Sequence, residues 1–117
     1  MPTEIRKIVF DAEEIRWAAV DFCLRSNIAL PHANIGELRI ADDVAATVVI
    51  VFTTANPAHP NEVRLGRDQV AAALIRFCID NQVPLPRHAQ KLLQVQAADQ
   101  TVSLMMKVDL QVGPKPR

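Results

Sequence analysis

The sequence is poor in glycine, because its 117 residues include only Gly36, Gly66 and Gly113, and each is isolated. A phosphate-binding loop needs several glycines close together, so the sequence does not favour nucleotide binding by that route. Cysteine is also scarce: Cys23 and Cys78 lie far apart and lack the CxxC spacing of a zinc site or the density of a disulfide framework. We therefore predict no metal, no cofactor and no oxidising compartment.

Net charge is the next absence, since thirteen basic residues balance thirteen acidic ones. Binding to nucleic acid draws on the release of counterions by a positive surface, and here no net field supplies it. A basic patch of Arg64, Arg67, Arg87 and Lys91 is the one alternative, but aromatic residues for base stacking make up only 4% of the chain. We predict that no nucleic acid is bound.

Long apolar runs are missing as well. Runs such as Val48 to Phe52 and Val70 to Ile75 are far too short to cross a bilayer, and the first residues, Met1 to Lys7, are too polar for a signal peptide. The sequence therefore predicts a soluble cytoplasmic protein without membrane contact.

An internal repeat is present. When the sequence is aligned with itself, a single ungapped register places Phe22 on Phe77 and Cys23 on Cys78. The same register aligns Ala18 with Ala73, Leu30 with Leu85, Pro31 with Pro86 and Leu38 with Leu93. We interpret this match as a tandem duplication, with repeat 1 at about 3–54, repeat 2 at about 58–112 and a flexible tail at 113–117.

Each half has the pattern strand, helix, strand, strand. Alternating apolar residues predict the strands, and Asp11 or Asp68 is the expected cap of each helix. A Leu-Pro pair after each helix predicts where it ends. The sequence thus predicts one α+β domain over 1–117, in which about six strands form an antiparallel-rich sheet with both helices on one face. The crossover helix of each unit predicts that its first two strands are parallel.

The helices carry two apolar stripes. One should cover the sheet, and it comprises Ile15, Ala18, Ala19, Phe22 and Cys23, repeated as Val70, Ala73, Leu74, Phe77 and Cys78. The other lies nearly opposite and comprises Trp17, Val20 and Leu24, repeated as Ala72, Ile75 and Ile79. Two explanations stay open for this second stripe: the helices pack on each other within one chain, or the stripe is a surface for another subunit or partner.

Charges on the helices change sign between the halves. Asp21 aligns with Arg76, and Arg25 aligns with Asp80. This exchange favours two helices lying side by side with opposite charges in contact. The alternative is an ion pair four residues apart within each helix.

The last strand of each half differs between the copies. Val48, Ile50 and Phe52 align without a gap with Ser103, Met105 and Lys107, so the first copy is apolar on both faces. A strand that is apolar on both faces is typical of burial between two layers. We therefore predict that Val48, Ile50 and Phe52 contact another subunit, together with Trp17, Val20 and Leu24 on a separate surface.

Few residues suggest chemistry. His32, His59 and His88 lack metal-binding spacing, and we interpret them as surface histidines. The aligned turns after the helices place His32 and Arg87 where they could contact an anion, although the Leu-Pro pairs there are first of all stop signals. Cys23 and Cys78 are predicted to be buried thiols without a catalytic role.

The start Met1-Pro2, followed by a strand and an amphipathic helix within a chain of two repeats, resembles the tautomerase family. That resemblance covers about the first thirty residues and implies an isomerase that uses the amine of Pro2 as a general base. The sequence favours instead a non-catalytic interaction or assembly module that forms a homodimer or binds a protein partner. A small-molecule isomerase or binding protein with a site between the repeats is the alternative.

Overall fold

The computed structural model describes residues 2–30, 35–41, 47–52, 62–86 and 89–109. In chain order these residues form β1 (Thr3–Phe10), α1 (Ala12–Arg25), β2 (Ile35–Ile40), β3 (Val48–Phe52), β4 (Glu62–Leu65), α2 (Arg67–Asp80), β5 (Gln90–Gln96) and β6 (Thr101–Asp109). A short 3-10 helix at Ala97–Asp99 joins β5 to β6. The predicted α+β class is confirmed. The residues between the repeats, Asp42 and Asp43, and the predicted tail at 113–117 lie outside the described residues.

The strands form two three-stranded sheets, in the orders β1-β6-β5 and β2-β3-β4. Every strand pairing in these two sheets is antiparallel. The expected parallel placement of the first two strands in each unit is wrong, because β1 and β2 belong to different sheets, as do β4 and β5. The strands also divide between two sheets, where the sequence predicted one.

The two halves of the chain exchange their first strands. The hairpin β5-β6 of the second half pairs with β1 of the first, and the hairpin β2-β3 of the first half pairs with β4 of the second. Buried side chains from both sheets and both helices join one hydrophobic core. Neither half can complete its sheet alone, so the hydrophobic effect stabilises both halves together.

The helices begin in similar ways. Asp11 caps α1 as predicted, since its carboxylate accepts a hydrogen bond of 2.9 Å from the amide of Glu14. At the start of α2 the cap is Gly66 and not Asp68, which lies one position inside the helix. There the side chain of Gln69 accepts a hydrogen bond of 2.9 Å from the Gly66 amide. Asp68 instead places an acid in the first turn, where the helix dipole favours it.

The helices also end alike. The residue two positions after each helix is in the left-handed region, with φ of 57° at Asn27 and 58° at Gln82. The next amide then turns back to the last turn of the helix. Equivalent hydrogen bonds of 2.9 and 2.8 Å join the Ile28 amide to the Cys23 carbonyl and the Val83 amide to the Cys78 carbonyl. Ile28 and Val83 align in the ungapped register of the repeat, and the duplication itself stays a prediction.

The strand registers show that the alignment of the two repeats needs a gap of one residue. Ile40 is opposite Val48 in the first hairpin, and Val95 is opposite Val102 in the second. Ile40 and Val95 align in the ungapped register, but that register aligns Val48 with Ser103, one position beyond Val102. The turn of the second hairpin is therefore one residue shorter, and the ungapped alignment of the last strands is wrong.

Candidate functional site

The predicted core face of the helices is confirmed. Its small and branched side chains are buried, and these are Ile15, Ala18, Ala19, Cys23, Val70, Ala73, Leu74 and Cys78. Phe22 and Phe77 are only half-buried, although both pack against the core. The ring of Phe77 meets that of Phe10 edge-on, with centroids 5.9 Å apart.

The second stripe of the helices is divided. Val20 and Ile75 are half-buried and pack against the core. Trp17, Leu24 and Ile79 are 70%, 66% and 57% exposed, respectively. We call these three residues the helical face. Packing within the chain thus covers part of the stripe and leaves its largest side chains in solvent.

An arginine joins the two helices beside the helical face. The guanidinium of Arg25 lies 2.8 Å from a carboxylate oxygen of Asp21 in its own helix and 3.3 Å from one of Asp80 in α2. Asp80 also lies 3.3 Å from Arg76, four residues earlier in α2. Both predicted pairings, within a helix and between helices, therefore occur together. These side chains are between 36% and 49% exposed, so each pair adds little to stability.

A cavity of about 330 Å³ lies between the helices next to this arginine. Its lining includes Trp17, Phe77 and the charged groups of Asp21, Arg25 and Asp80. Two acids face one base here, so the cavity has a formal charge of −1.

A second groove, of about 380 Å³, lies on the other side of Trp17. We call it the acidic groove, and it is lined by Asp11, Glu13, Glu14, Arg16, Trp17 and Phe77. Three acids and one base give it a formal charge of −2. Glu13 pairs with Arg16 across one turn of α1. An aromatic wall beside carboxylates is suited to bind a cation.

Val48, Ile50 and Phe52 do not lie on this surface. They are 0%, 0% and 4% exposed and belong to the core of the chain itself. Since a one-residue slip of register moves a strand's side chains to the other face, the ungapped alignment had compared opposite faces. In the observed register these residues correspond to Val102, Leu104 and Met106, which are also buried. We therefore leave them out of the candidate interface.

The outer faces of the two sheets differ. In β2-β3-β4, the charged side chains of Glu37, Arg39, Glu62 and Arg64 lie on the face of Val49 and Val51. Arg64 lies 2.8 Å from Glu62, and Arg39 lies 3.6 Å from both acids. Ion pairs therefore flank this apolar surface.

The outer face of β1-β6-β5 instead has apolar side chains exposed to solvent, and we call it the open face. Ile5, Val9 and Leu92 are all more than half exposed there. Sequence reasoning missed this patch, although a signal was present: Ile5 and Val9 alternate out of phase with Ile8 and Phe10, so β1 has apolar side chains on both faces.

The other predicted site residues lie apart from the helical face. Pro2 is exposed just before β1. His32 and Arg87, the candidate anion contacts, lie outside the described residues, as do His59 and His88. In the alternative basic patch, Arg67 and Lys91 donate hydrogen bonds to backbone carbonyls.

The thiols of Cys23 and Cys78 are buried in the hydrophobic core beneath the helices. Burial raises the pKa of Cys23, and the pKa of Cys78 is raised by burial and by the negative charge of Glu14. Both groups are thus held as thiols, whereas the reactive form is the thiolate.

We expect both cysteines to react at least about 100-fold more slowly with a thiol reagent in native buffer than in denaturant, because reaction requires opening of the core. Counting labelled thiols by mass spectrometry over time measures each rate. Fast labelling of either residue in the native protein would show that its thiol is accessible and would contradict its placement.

Within the described ranges, no three histidine, cysteine or acidic side chains are grouped so as to hold a metal ion. No helix in the described part of the chain is long and apolar enough to span a membrane. Comparison with models of protein families, with curated proteins and with solved structures finds no match.

Proposed function

We propose that the protein is a non-catalytic assembly module that forms a homodimer through the helical face. The observation that supports this proposal is the exposure of Trp17, Leu24 and Ile79 on one helical layer. Large apolar side chains gain about 1.5–3 kcal/mol each on full burial. Association with a partner that covers this face would therefore be favoured by the burial of these apolar side chains.

The helical face extends over both helices. Trp17 and Leu24 are separated by about two turns of α1, so they lie on the same side of that helix. Ile79 is next to Asp80, and Leu24 is next to Arg25, the two residues whose side chains join α1 to α2. Trp17 also lines the cavity between the helices, so the helical face includes exposed side chains from both helices near their contact.

Charges around the face are suited to self-association. A twofold contact needs a surface that complements itself. Asp21, Arg25, Arg76 and Asp80 provide two acids and two bases, placed at equivalent positions of the two helices. A second copy related by a twofold axis can then oppose acid with base, whereas a surface of one sign would repel its own copy.

We expect Leu24→Lys to weaken the dimer at least about 100-fold. A twofold contact loses the leucine twice, at about 1.5 kcal/mol or more each, and gains two charges. Sedimentation equilibrium over a range of micromolar concentrations measures the dissociation constant. The matched control is Leu92→Lys, a leucine that is 69% exposed on the open face of β1-β6-β5 and should leave the dimer intact.

A wild-type protein that sediments only at the 13.0 kDa of one chain would refute the proposal. Equal effects of the two lysine variants would also oppose it, since the contact would then not be specific to the helical face.

A further inference from the structure

We propose that the acidic groove of each subunit binds the segment Gly113-Pro114-Lys115-Pro116-Arg117 of the other subunit. This inference rests on the proposed dimer and names an additional contact within it. The segment follows β6 and lies outside the described residues, so the argument uses its sequence and the point where β6 ends.

The chemistry of the groove matches the segment. Proline fixes the backbone near the polyproline II conformation, and aromatic grooves bind such segments because little conformational entropy is lost. Trp17, which is 70% exposed, offers a flat ring for the proline side chains, and Phe77 lies on the same wall.

Charge complementarity supports the same occupant. The groove has a formal charge of −2, from Asp11, Glu13 and Glu14 against Arg16. The segment contributes Lys115 and Arg117 and no acid, which gives it two positive charges. Attraction between these groups would both strengthen the contact and favour this segment over neutral ones.

The length of the chain favours exchange between subunits. Asp109, at the end of β6, pairs with Thr3, whereas Asp11 follows the other end of β1. The eight residue steps from Thr3 to Asp11 hold these points about 26 Å apart, at about 3.3 Å per residue. Lys115 lies six residues beyond Asp109 and reaches about 21 Å only when fully extended. A chain could therefore bring little more than Arg117 to the Asp11 end of its own groove, whereas the segment of a second copy starts from another point and is free of this limit.

The test uses the full-length chain with both charges of the segment reversed, Lys115→Glu with Arg117→Glu. We expect the dimer dissociation constant to rise about 10- to 100-fold, and acrylamide to quench Trp17 fluorescence more strongly. Trp17 is the single tryptophan, and the chain has no tyrosine, so the emission reports this groove. The matched control, Lys7→Glu with Lys107→Glu, makes the same charge change on the open face of β1-β6-β5 and should alter neither value.

Mixing two variants distinguishes exchange from contact within one chain. Glu13→Lys removes the net charge of the groove and should itself weaken the dimer. A mixed dimer of Glu13→Lys with the reversed segment regains one native contact between groove and segment, so we expect it to be tighter than either parent dimer. Contact within one chain predicts no gain on mixing, and that result would overturn the proposal.

The outcomes also separate this inference from the proposed function. A wild-type monomer would overturn both. A dimer that is unchanged by reversal of the segment would overturn only the groove contact and leave the helical face as the interface. Protection of Trp17 by an added peptide of residues 110–117, without any effect of the reversed segment on the dimer, would show that the groove can bind this sequence but does not hold it in the dimer, and would overturn the proposed contact between subunits.

Discussion

Replacing Ile50 with lysine is expected to unfold the protein. Ile50 is fully buried at the centre of β2-β3-β4, opposite Leu38 and Val63. Loss of the apolar side chain costs about 2–5 kcal/mol, and a buried, unpaired ammonium group adds several more. Since small domains are stable by only about 5–15 kcal/mol, this sum removes most or all of the stability. Circular dichroism and urea unfolding should show no cooperative transition.

The same substitution separates two interpretations of this strand. The sequence placed Ile50 on a subunit interface, where lysine would give a folded monomer. The structure places Ile50 in the core, where lysine prevents folding. Leu92→Lys adds the same charge at an exposed strand position and should remain folded. A folded, monomeric Ile50→Lys protein would show that the register of β3 in the structure is wrong.

Phe77→Ala is expected to lower the free energy of unfolding by about 2–4 kcal/mol. The value lies below that of a fully buried phenylalanine because Phe77 is half-buried. Its ring nevertheless contacts Phe10 edge-on and forms part of the wall of both the cavity between the helices and the acidic groove. Urea unfolding at a fixed protein concentration measures the change, since dimerisation contributes to apparent stability.

A double-mutant cycle isolates the ring contact. Combining Phe77→Ala with Phe10→Leu should reveal a coupling of about 0.5–1.5 kcal/mol, the usual value for an aromatic pair. Truncation of an exposed side chain, Leu92→Ala, serves as the control and should cost less than about 1 kcal/mol. An unchanged midpoint for Phe77→Ala would mean that its ring does not pack between the helices.

The helices could be predicted from the sequence because their information is local. The period of the apolar residues identified the buried face of both helices, and Asp11 marked the start of α1. The cap of α2 was assigned to Asp68 because polar side chains are the usual signal. Gly66 at that position instead has an extended backbone, and the side chain of Gln69 satisfies its amide.

The sheets could not be predicted in the same way. Apolar alternation shows that β1 has a buried face, but it does not show which strand pairs with it. The rule for crossover connections favoured β2 as the parallel partner, and the structure instead pairs β1 with β6 at the other end of the chain. Pairings between strands so distant in sequence depend on how the whole core packs, and a short sequence pattern does not reveal this packing.

The candidate site was predicted in part for a similar reason. The second stripe of the helices was recognised, including Trp17 and Leu24, but whether it packs within the chain depends on tertiary contacts. Val20 turned out to be half-buried against the core, whereas Trp17 stayed exposed. The shorter turn of the second hairpin was also hidden, and the resulting slip of one residue made Ile50 look like an interface residue.

The central claim is that the helical face is where two copies of the chain meet, and the fluorescence of Trp17 on dilution tests it most directly. In the isolated subunit this side chain is 70% exposed, whereas the dimer should cover it. We predict a blue-shifted emission with weak acrylamide quenching at high concentration. On dilution the emission should shift to the red with the same midpoint that sedimentation gives for dissociation. Emission typical of a solvent-exposed tryptophan at every concentration, in a protein that sediments as a dimer, would show that the dimer forms through another surface and would contradict the account.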